Sequence, residues 1–184
     1  MSVISLVEAS QAPLAAQAFY ADGDPGPIVA ALAHVPEVLE VTVPFLRTVL
    51  GGSSIPLQTK EIVILRTSVL LSCRYCTQTH TVVAGDAGLS RDEIRGLRDE
   101  AAVEAMFPDR AERALIAWVD AVALGPGSPP EPLVQTIATH FTEAQIAELT
   151  LLVGATLMLS RFATSLRLPT STGTSRRLDE EGWE

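Results

Sequence analysis

The segment 57–71 constrains the fold more than any other part of the chain. It is strongly apolar, and its pattern is helical rather than alternating. The run Gly-Gly-Ser-Ser at 51–54 interrupts the chain before it, and Ser72 follows it. A helix that is apolar on every side is buried. We therefore expect this segment to be a core helix that the rest of the chain covers.

Helical signals continue beyond this segment. The patterns at 90–93 and 142–145 are those of capping boxes, and Asp109 is a suitable N-cap. Few residues are aromatic, and Ala and Leu favour helix over strand. No stretch alternates convincingly as strands do, so the sequence predicts an all-α fold. The expected helices after Ser72 cover about 73–87, 90–98, 109–124, 133–139 and 142–166.

The chain of 184 residues is long enough for one domain with a sizeable core. We expect a single helical domain over 1–184 with its core at about 36–168. Short helices near 13–20 and 28–33, on either side of a Gly- and Pro-rich loop, form an N-terminal extension over 1–35. The polar residues 169–184 are expected to be a flexible tail, with Pro169 at its start.

Charge and hydropathy exclude some classes of partner. The net charge of −9 argues against a nucleic-acid surface, which needs clustered Lys and Arg. The N-terminus lacks the pattern of a signal peptide, and the apolar runs 62–71 and 149–159 are too short to span a bilayer. We therefore expect a cytoplasmic protein without a membrane partner. Apolar helices such as 149–159 exceed what one small core needs, which favours a homo-oligomer.

The two cysteines, Cys73 and Cys76, are the first candidates for chemistry. A bond between residues three apart closes too small a loop to stabilise the fold much, so a structural disulfide is a poor interpretation. If Ser72 caps a helix, both thiols share one face, with Cys73 in the first turn, where the helix dipole favours a thiolate. His80, four residues beyond Cys76, projects from the same face and could take its proton. The dipole thus favours Cys73 as the more acidic thiol, and the histidine favours Cys76.

Glu61 completes the candidate set if the chain turns back on itself. On one straight helix, Glu61 would lie about 18 Å from Cys73. If the chain reverses near Ser72, two antiparallel helices bring Glu61 and His80 to a similar depth. A carboxylate beside a histidine fixes its tautomer and raises its basicity. The spacing therefore predicts a Glu61–His80 pair behind the cysteines.

Other interpretations of the cysteines remain open at this point. Cys73, Cys76 and His80 could supply three zinc ligands, with Glu61 or a water as the fourth. The cysteines could also be buried core residues without chemistry. A thioredoxin fold needs a β-strand before the motif, whereas the preceding segment is helical in pattern.

The pattern Glu61, eleven residues, then Cys73-x-x-Cys76-x-x-x-His80 resembles the alkylhydroperoxidase D-like branch of the carboxymuconolactone decarboxylase superfamily. The resemblance covers about 36–168. It implies an all-α domain with the two cysteines at the start of a core helix, and a homo-oligomer. It also implies that Glu61, Cys73, Cys76 and His80 are catalytic.

The activity that the resemblance implies is that of a cysteine-dependent peroxidase or dithiol–disulfide oxidoreductase. We expect no cofactor and no bound metal. Cys76 would attack a hydroperoxide substrate, and Cys73 would then close a disulfide that a dithiol reductant reopens, either a lipoyl group or a thioredoxin-like protein. The chain has Tyr75 where well-studied alkylhydroperoxidase D proteins carry a relay histidine between the cysteines. The alternative function is a non-enzymatic, metal-binding or redox-sensing helical protein.

Overall fold

The computed structural model describes residues 2–99 and 101–183, and their regular structure is helical, with no β-strand. The predicted all-α fold is therefore confirmed. Two short 3-10 helices, Ala9–Gln11 and Leu14–Tyr20, precede the α-helices. The α-helices of the described residues are α1 (Pro27–Leu32), α2 (Pro36–Leu50), α3 (Leu57–Leu70), α4 (Arg74–Asp86), α5 (Arg91–Leu97), α6 (Val103–Met106), α7 (Arg110–Leu124), α8 (Glu131–Ala138), α9 (Glu143–Leu166) and α10 (Thr172–Glu181).

Helix α3 lies at the centre of the molecule. Every residue from 60 to 68 is buried, and the helix packs against α4, α7 and α9. This confirms the expectation that segment 57–71 is a core helix, because only a helix surrounded by others can bury all of its faces. Consequently, any side chain on α3 near the turn to α4 is held in a fixed position.

The buried charges of α3 all have partners. Lys60 donates hydrogen bonds to the Val49 carbonyl at 2.8 Å and to the Gly51 carbonyl, and pairs with Glu148 at 2.7 Å. Arg66 donates two hydrogen bonds to Asp120, at 2.7 and 2.9 Å, and is also bonded to the Asp99 carboxylate. Because an unpaired buried charge is strongly destabilising, these contacts tie α2, α7 and α9 to the central helix.

The chain reverses between α3 and α4 in a Schellman turn. The Cys73 N–H donates to the Ser68 carbonyl at 3.0 Å, and the Ser72 N–H donates to the Val69 carbonyl at 2.9 Å. Ser72 itself has a left-handed backbone, with φ of +53°. The reversal was expected, but the cap was assigned to the wrong residue, because Ser72 ends α3 and Cys73 is the N-cap of α4.

Most other predicted helix ends are confirmed. Ser90 with Glu93 and Thr142 with Gln145 form capping boxes, and Asp109 accepts hydrogen bonds from the first turn of α7. The N-terminal region contains the two predicted short helices, now placed at Leu14–Tyr20 and Pro27–Leu32. These ends are set by local hydrogen bonds between neighbouring residues, which is why the sequence alone located them.

The expectation of a flexible tail over 169–184 was wrong for the described part of it. Residues 172–181 form α10, which Ser171 caps, and the helix packs against α4. Leu178 is 5% exposed and Trp183 is 9% exposed. The segment is therefore a docked helix, while Glu184 lies outside the described residues.

Tertiary contacts hold α10 in place. Arg177 donates two hydrogen bonds to the Asp86 carboxylate at 2.7 and 2.9 Å, and this pairing lowers the pKa of Asp86. The guanidinium of Arg91 lies 4.1 Å from the Trp183 ring centroid, and that of Arg98 lies 5.3 Å from it. These cation–π contacts and ion pairs join residues roughly 85–95 positions apart, so local composition does not reveal them.

Helix α9 is the one described helix that is long and apolar enough to cross a membrane by length and hydropathy. This corrects the expectation that the apolar run within it is too short. About 39% of its most apolar stretch is buried against the rest of the chain. A core helix of a globular protein has the same length and hydropathy, and nothing positive indicates a membrane location.

We predict that Glu148→Gln lowers the free energy of unfolding by about 1–3 kcal/mol at neutral pH, because buried Lys60 loses its counter-charge. Hydrogen bonds from Lys60 and Ser53 lower the pKa of Glu148 below its ordinary 4.5. A carboxylate with a lowered pKa stabilises the fold above the ordinary value and stops doing so as the pH falls through the lowered one. The free energies of unfolding of the parent and of Glu148→Gln, measured with urea, should therefore converge as the pH falls through this acidic range.

The matched control is Glu40→Gln, which neutralises an exposed carboxylate on α2. It should leave the unfolding free energy within about 0.5 kcal/mol of the parent. A difference between Glu148→Gln and the parent that persists undiminished at acidic pH would show that the Lys60–Glu148 pair is not its source.

Candidate active site

Cys73 and Cys76 form a disulfide at the start of α4. Their Cα atoms are 5.3 Å apart, and the Cys76 N–H donates to the Cys73 sulfur at 3.3 Å. This contact is the N-cap hydrogen bond of α4, so the first sulfur receives both a backbone donor and the positive end of the helix dipole. The pair is buried, with Cys73 0% and Cys76 5% exposed.

Glu61 and His80 meet across the α3–α4 hairpin. The Glu61 carboxylate accepts a hydrogen bond from His80 Nδ1 at 2.8 Å, and Glu61 is 7% exposed. The spacing argument predicted this proximity, and the turn at Ser72 brings it about. Because a carboxylate accepts and does not donate, the hydrogen bond places the ring proton on Nδ1. The Nε2 of His80 is then left as the basic nitrogen.

An apolar cavity of about 240 Å³ reaches Cys76 and His80. Cys76 lines it and Cys73 does not. Aliphatic side chains of α1, α2, α3 and α9 supply most of its wall, with a few hydroxyls among them. A small apolar molecule in this cavity would contact the second sulfur and the imidazole together. The aliphatic lining residues are Ile28, Val29, Val43, Leu46, Leu50, Ile64 and Leu159.

Tyr75 lies between the two cysteines in sequence and lines this cavity. Burial raises the pKa of its phenol, and a smaller effect of Thr79 acts in the opposite direction. The phenol therefore stays protonated over the working range, and it can donate a hydrogen bond but cannot shuttle protons as an imidazole does. Tyr75 also lines a second, more polar cavity of about 550 Å³, to which Arg74 and Arg167 contribute.

Sequence reasoning missed Ser160. Its hydroxyl on α9 donates to the Cys76 sulfur at 3.6 Å, and the residue is fully buried. The two residues are 84 positions apart, and a serine inside an apolar helix carries no sequence signal of such a role. Only the packing of α9 against α4 brings them together.

The described residues do not form a set of ligands for zinc in this structure. Among residues 2–99 and 101–183, no group of three or more His, Cys, Asp or Glu side chains is arranged to hold a metal ion. The Cys73 and Cys76 sulfurs are bonded to each other, and His80 Nδ1 is bonded to Glu61. The site therefore consists of a disulfide and a histidine that is hydrogen-bonded to a buried carboxylate.

A family model of the carboxymuconolactone decarboxylase family matches residues 36–125, which include Glu61, both cysteines and His80. This matched region, about half of the chain, belongs to the carboxymuconolactone decarboxylase superfamily. The chain has the helical fold of the alkylhydroperoxidase D-like branch of that superfamily, as the resemblance implied. No match is found among curated proteins.

Solved structures show how far this likeness extends. A peroxidase-related protein from Ralstonia eutropha JMP134, with an alkylhydroperoxidase AhpD core, has a TM-score of 0.81 at 13% identity, over 94% of each chain. A protein of unknown function from Agrobacterium tumefaciens that carries the name AhpD has a TM-score of 0.67 at 24% identity, over 77% of this chain and 96% of that one.

A third similar structure is the debrominase Bmp8, with a TM-score of 0.79 at 17% identity, over 98% of each chain. A cysteine-to-alanine variant of that debrominase was solved in complex with 2,3,4-tribromopyrrole. At these identities the likeness establishes the fold of this chain and not its reaction.

We predict that Glu61→Gln lowers the reactivity of the Cys76 thiol roughly tenfold near neutral pH, because the amide neither fixes the ring proton on Nδ1 nor stabilises the imidazolium that forms when His80 takes the thiol proton. The measurement is the rate of alkylation by iodoacetamide in a Cys73→Ser background, where Cys76 is the only cysteine.

Glu148→Gln is the matched control. It also removes a carboxylate that contacts α3, but this carboxylate is paired with Lys60 and not with His80. It should leave the alkylation rate of Cys76 unchanged. A pH profile of Cys76 alkylation that Glu61→Gln does not alter would contradict a role for Glu61 behind His80.

Proposed function

We propose that this protein is a thiol-dependent oxidoreductase that reduces organic hydroperoxides and oxidises Cys73 and Cys76 to a disulfide in each cycle. The observation that carries the proposal is the position of Cys76 and His80 on one apolar cavity, with the His80 ring held by Glu61. In this proposal Cys76, Cys73, His80 and Glu61 are the catalytic groups. The apolar lining favours an organic hydroperoxide over hydrogen peroxide.

In the first step, His80 Nε2 takes the thiol proton of Cys76. The resulting thiolate attacks the distal oxygen of the hydroperoxide, and the O–O bond breaks. The imidazolium returns the proton to the departing alkoxide, so an alcohol leaves and Cys76 becomes a sulfenic acid. Glu61 stabilises the charged imidazolium between the two transfers.

In the second step, the Cys73 sulfur attacks the sulfur of the Cys76 sulfenic acid, and water leaves as the disulfide forms. The overall reaction consumes one hydroperoxide and two thiols and yields one alcohol, one water and one disulfide. The backbone donor and helix dipole at Cys73 favour its thiolate, which suits it for this attack. Cys73 lies outside the cavity, so we assign the first step to Cys76.

A dithiol reductant must then reopen a disulfide that is almost fully buried. Of the two sulfurs, only that of Cys76 belongs to a residue lining the cavity of about 240 Å³. A slender lipoyl arm would fit such an approach better than the flat surface of a thioredoxin-like protein. We therefore propose a lipoyl-type dithiol as the first reductant to test.

Reductive dehalogenation is a second candidate function. The debrominase named above covers 98% of this chain, and its variant binds a small, apolar, aromatic halide. Here Cys76 would take the bromine from carbon, a proton would replace it on the ring, and Cys73 would displace bromide as the disulfide forms. One carbon–bromine bond and two thiols thus give one carbon–hydrogen bond, bromide, a proton and a disulfide.

We also propose that the protein is a cytoplasmic homo-oligomer. A reducing compartment suits a disulfide that must be reopened in every cycle. Helix α2 exposes Val38, Val41 and Phe45, which are 45%, 69% and 39% exposed. A row of exposed apolar side chains on one helix supports contact with a second copy.

The test of the proposed reaction is a thiol count on the reduced protein before and after one equivalent of cumene hydroperoxide. We expect both thiols to be lost and a dithiol to restore them. Cys76→Ser should abolish peroxide consumption, and Cys73→Ser should stop the reaction at a sulfenic acid that dimedone traps. The same count with a bromopyrrole, together with a bromide assay, tests dehalogenation.

Rapid peroxide consumption that survives Cys76→Ser would refute this mechanism. If the reduced protein binds a metal ion and its thiols do not react with the hydroperoxide, the result would favour the alternative of a metal-binding or redox-sensing protein. One equivalent of hydroperoxide could oxidise both thiols while no dithiol supports a second round of oxidation. That result would favour a redox sensor.

A further inference from the structure

Three buried hydroxyls of the core helices share one hydrogen-bonding pattern, which Ser160 does not follow. The side chains of Ser68, Thr81 and Thr156 each donate to the carbonyl four residues earlier in the same helix, at 2.7–2.8 Å. This is the ordinary arrangement of a serine or threonine inside a helix. Ser160 instead donates to the Cys76 sulfur of another helix at 3.6 Å, and this is its only recorded hydrogen bond within the described residues.

Because this contact is buried, the strength of the hydrogen bond depends on the charge of the sulfur that accepts it. Ser160 is 0% exposed and Cys76 is 5% exposed, so water does not solvate either group well. A disulfide sulfur is a weak acceptor, whereas a thiolate is charged and accepts strongly. The contact is therefore worth more when Cys76 is a thiolate than when it is a thiol or a disulfide.

From these observations we propose that Ser160 is a positioning residue that stabilises the Cys76 thiolate by a hydrogen bond from α9. The inference rests on the proposed function, in which Cys76 is the attacking sulfur. Burial disfavours a charged sulfur, and a hydrogen bond to the charged form offsets that cost. The donor comes from outside α4, so it acts on Cys76 independently of the helix dipole that acts on Cys73.

The other charged or titratable groups around Cys76 come from three helices. Arg47 of α2 and Tyr75 and His80 of α4 line the same cavity, and Glu61 of α3 is bonded to His80. A change at Ser160 leaves all of these groups in place. A shift in the pH profile of Cys76 on that change therefore reports the hydroxyl alone.

The test compares Ser160→Ala with its parent in the Cys73→Ser background, using iodoacetamide alkylation of Cys76 between about pH 5 and pH 10. We expect alkylation to slow roughly tenfold at the acidic end and to converge with the parent at the alkaline end, where every thiol is ionised. Ser160→Thr, which keeps a hydroxyl, should restore most of the rate at the acidic end.

Thr81→Ala is the matched control, because it removes a buried helical hydroxyl that donates to a backbone carbonyl instead of the sulfur. It should leave the alkylation profile unchanged. An unchanged profile in Ser160→Ala would overturn the proposal, as would a rate reduced equally at every pH, since that indicates only a packing defect.

Failure of this inference is distinguishable from failure of the proposed function. Alkylation reads the thiolate of Cys76 directly and requires no hydroperoxide. If Cys76 reduces hydroperoxides but Ser160→Ala does not change the alkylation profile, the role assigned to Ser160 is wrong and the proposed function is retained. If the profile shifts as expected but no hydroperoxide is reduced, Ser160 stabilises the thiolate and the assigned substrate is wrong.

Discussion

The site depends on one hydrogen bond, between the Glu61 carboxylate and His80 Nδ1, at 2.8 Å across the α3–α4 hairpin. It exists because Ser72 adopts a left-handed backbone and turns the chain back within a few residues. It is rigid because α3 is buried on all sides. The bond sets which His80 nitrogen is basic, and this determines whether the histidine can take a proton from Cys76.

The central helix holds the candidate site and the surrounding helices in place through buried, paired charges. It buries Lys60, Glu61 and Arg66, and each of them has a partner on another element. Lys60 and Arg66 are paired with carboxylates, and both pairs hold neighbouring helices in place. Glu61 is paired with an imidazole, which can change its protonation state during a reaction. The Glu61–His80 pair is thus built into the same network of buried charges that fixes the fold.

The parts that the sequence predicted are those set by neighbours in the chain. The capping box of Ser90 depends on a residue three positions away, and the Glu61–His80 pair follows from one reversal between two adjacent helices. Ser72 was misassigned as a cap because serine suits a helix start, whereas here it takes the left-handed position that ends one. The docking of Trp183 and the contact from Ser160 depend on packing between distant segments, which local patterns do not encode.

The central claim is most directly tested by the nitrogen-15 NMR signals of the His80 ring in the oxidised protein, at a pH where the ring is neutral. In that state no thiolate competes for the proton. The account predicts a protonated Nδ1 and an unprotonated Nε2, and it predicts that Glu61→Gln weakens this preference. A ring protonated at Nε2, with Nδ1 bare, would contradict the account, because the nitrogen left to accept a proton would then be the one facing Glu61.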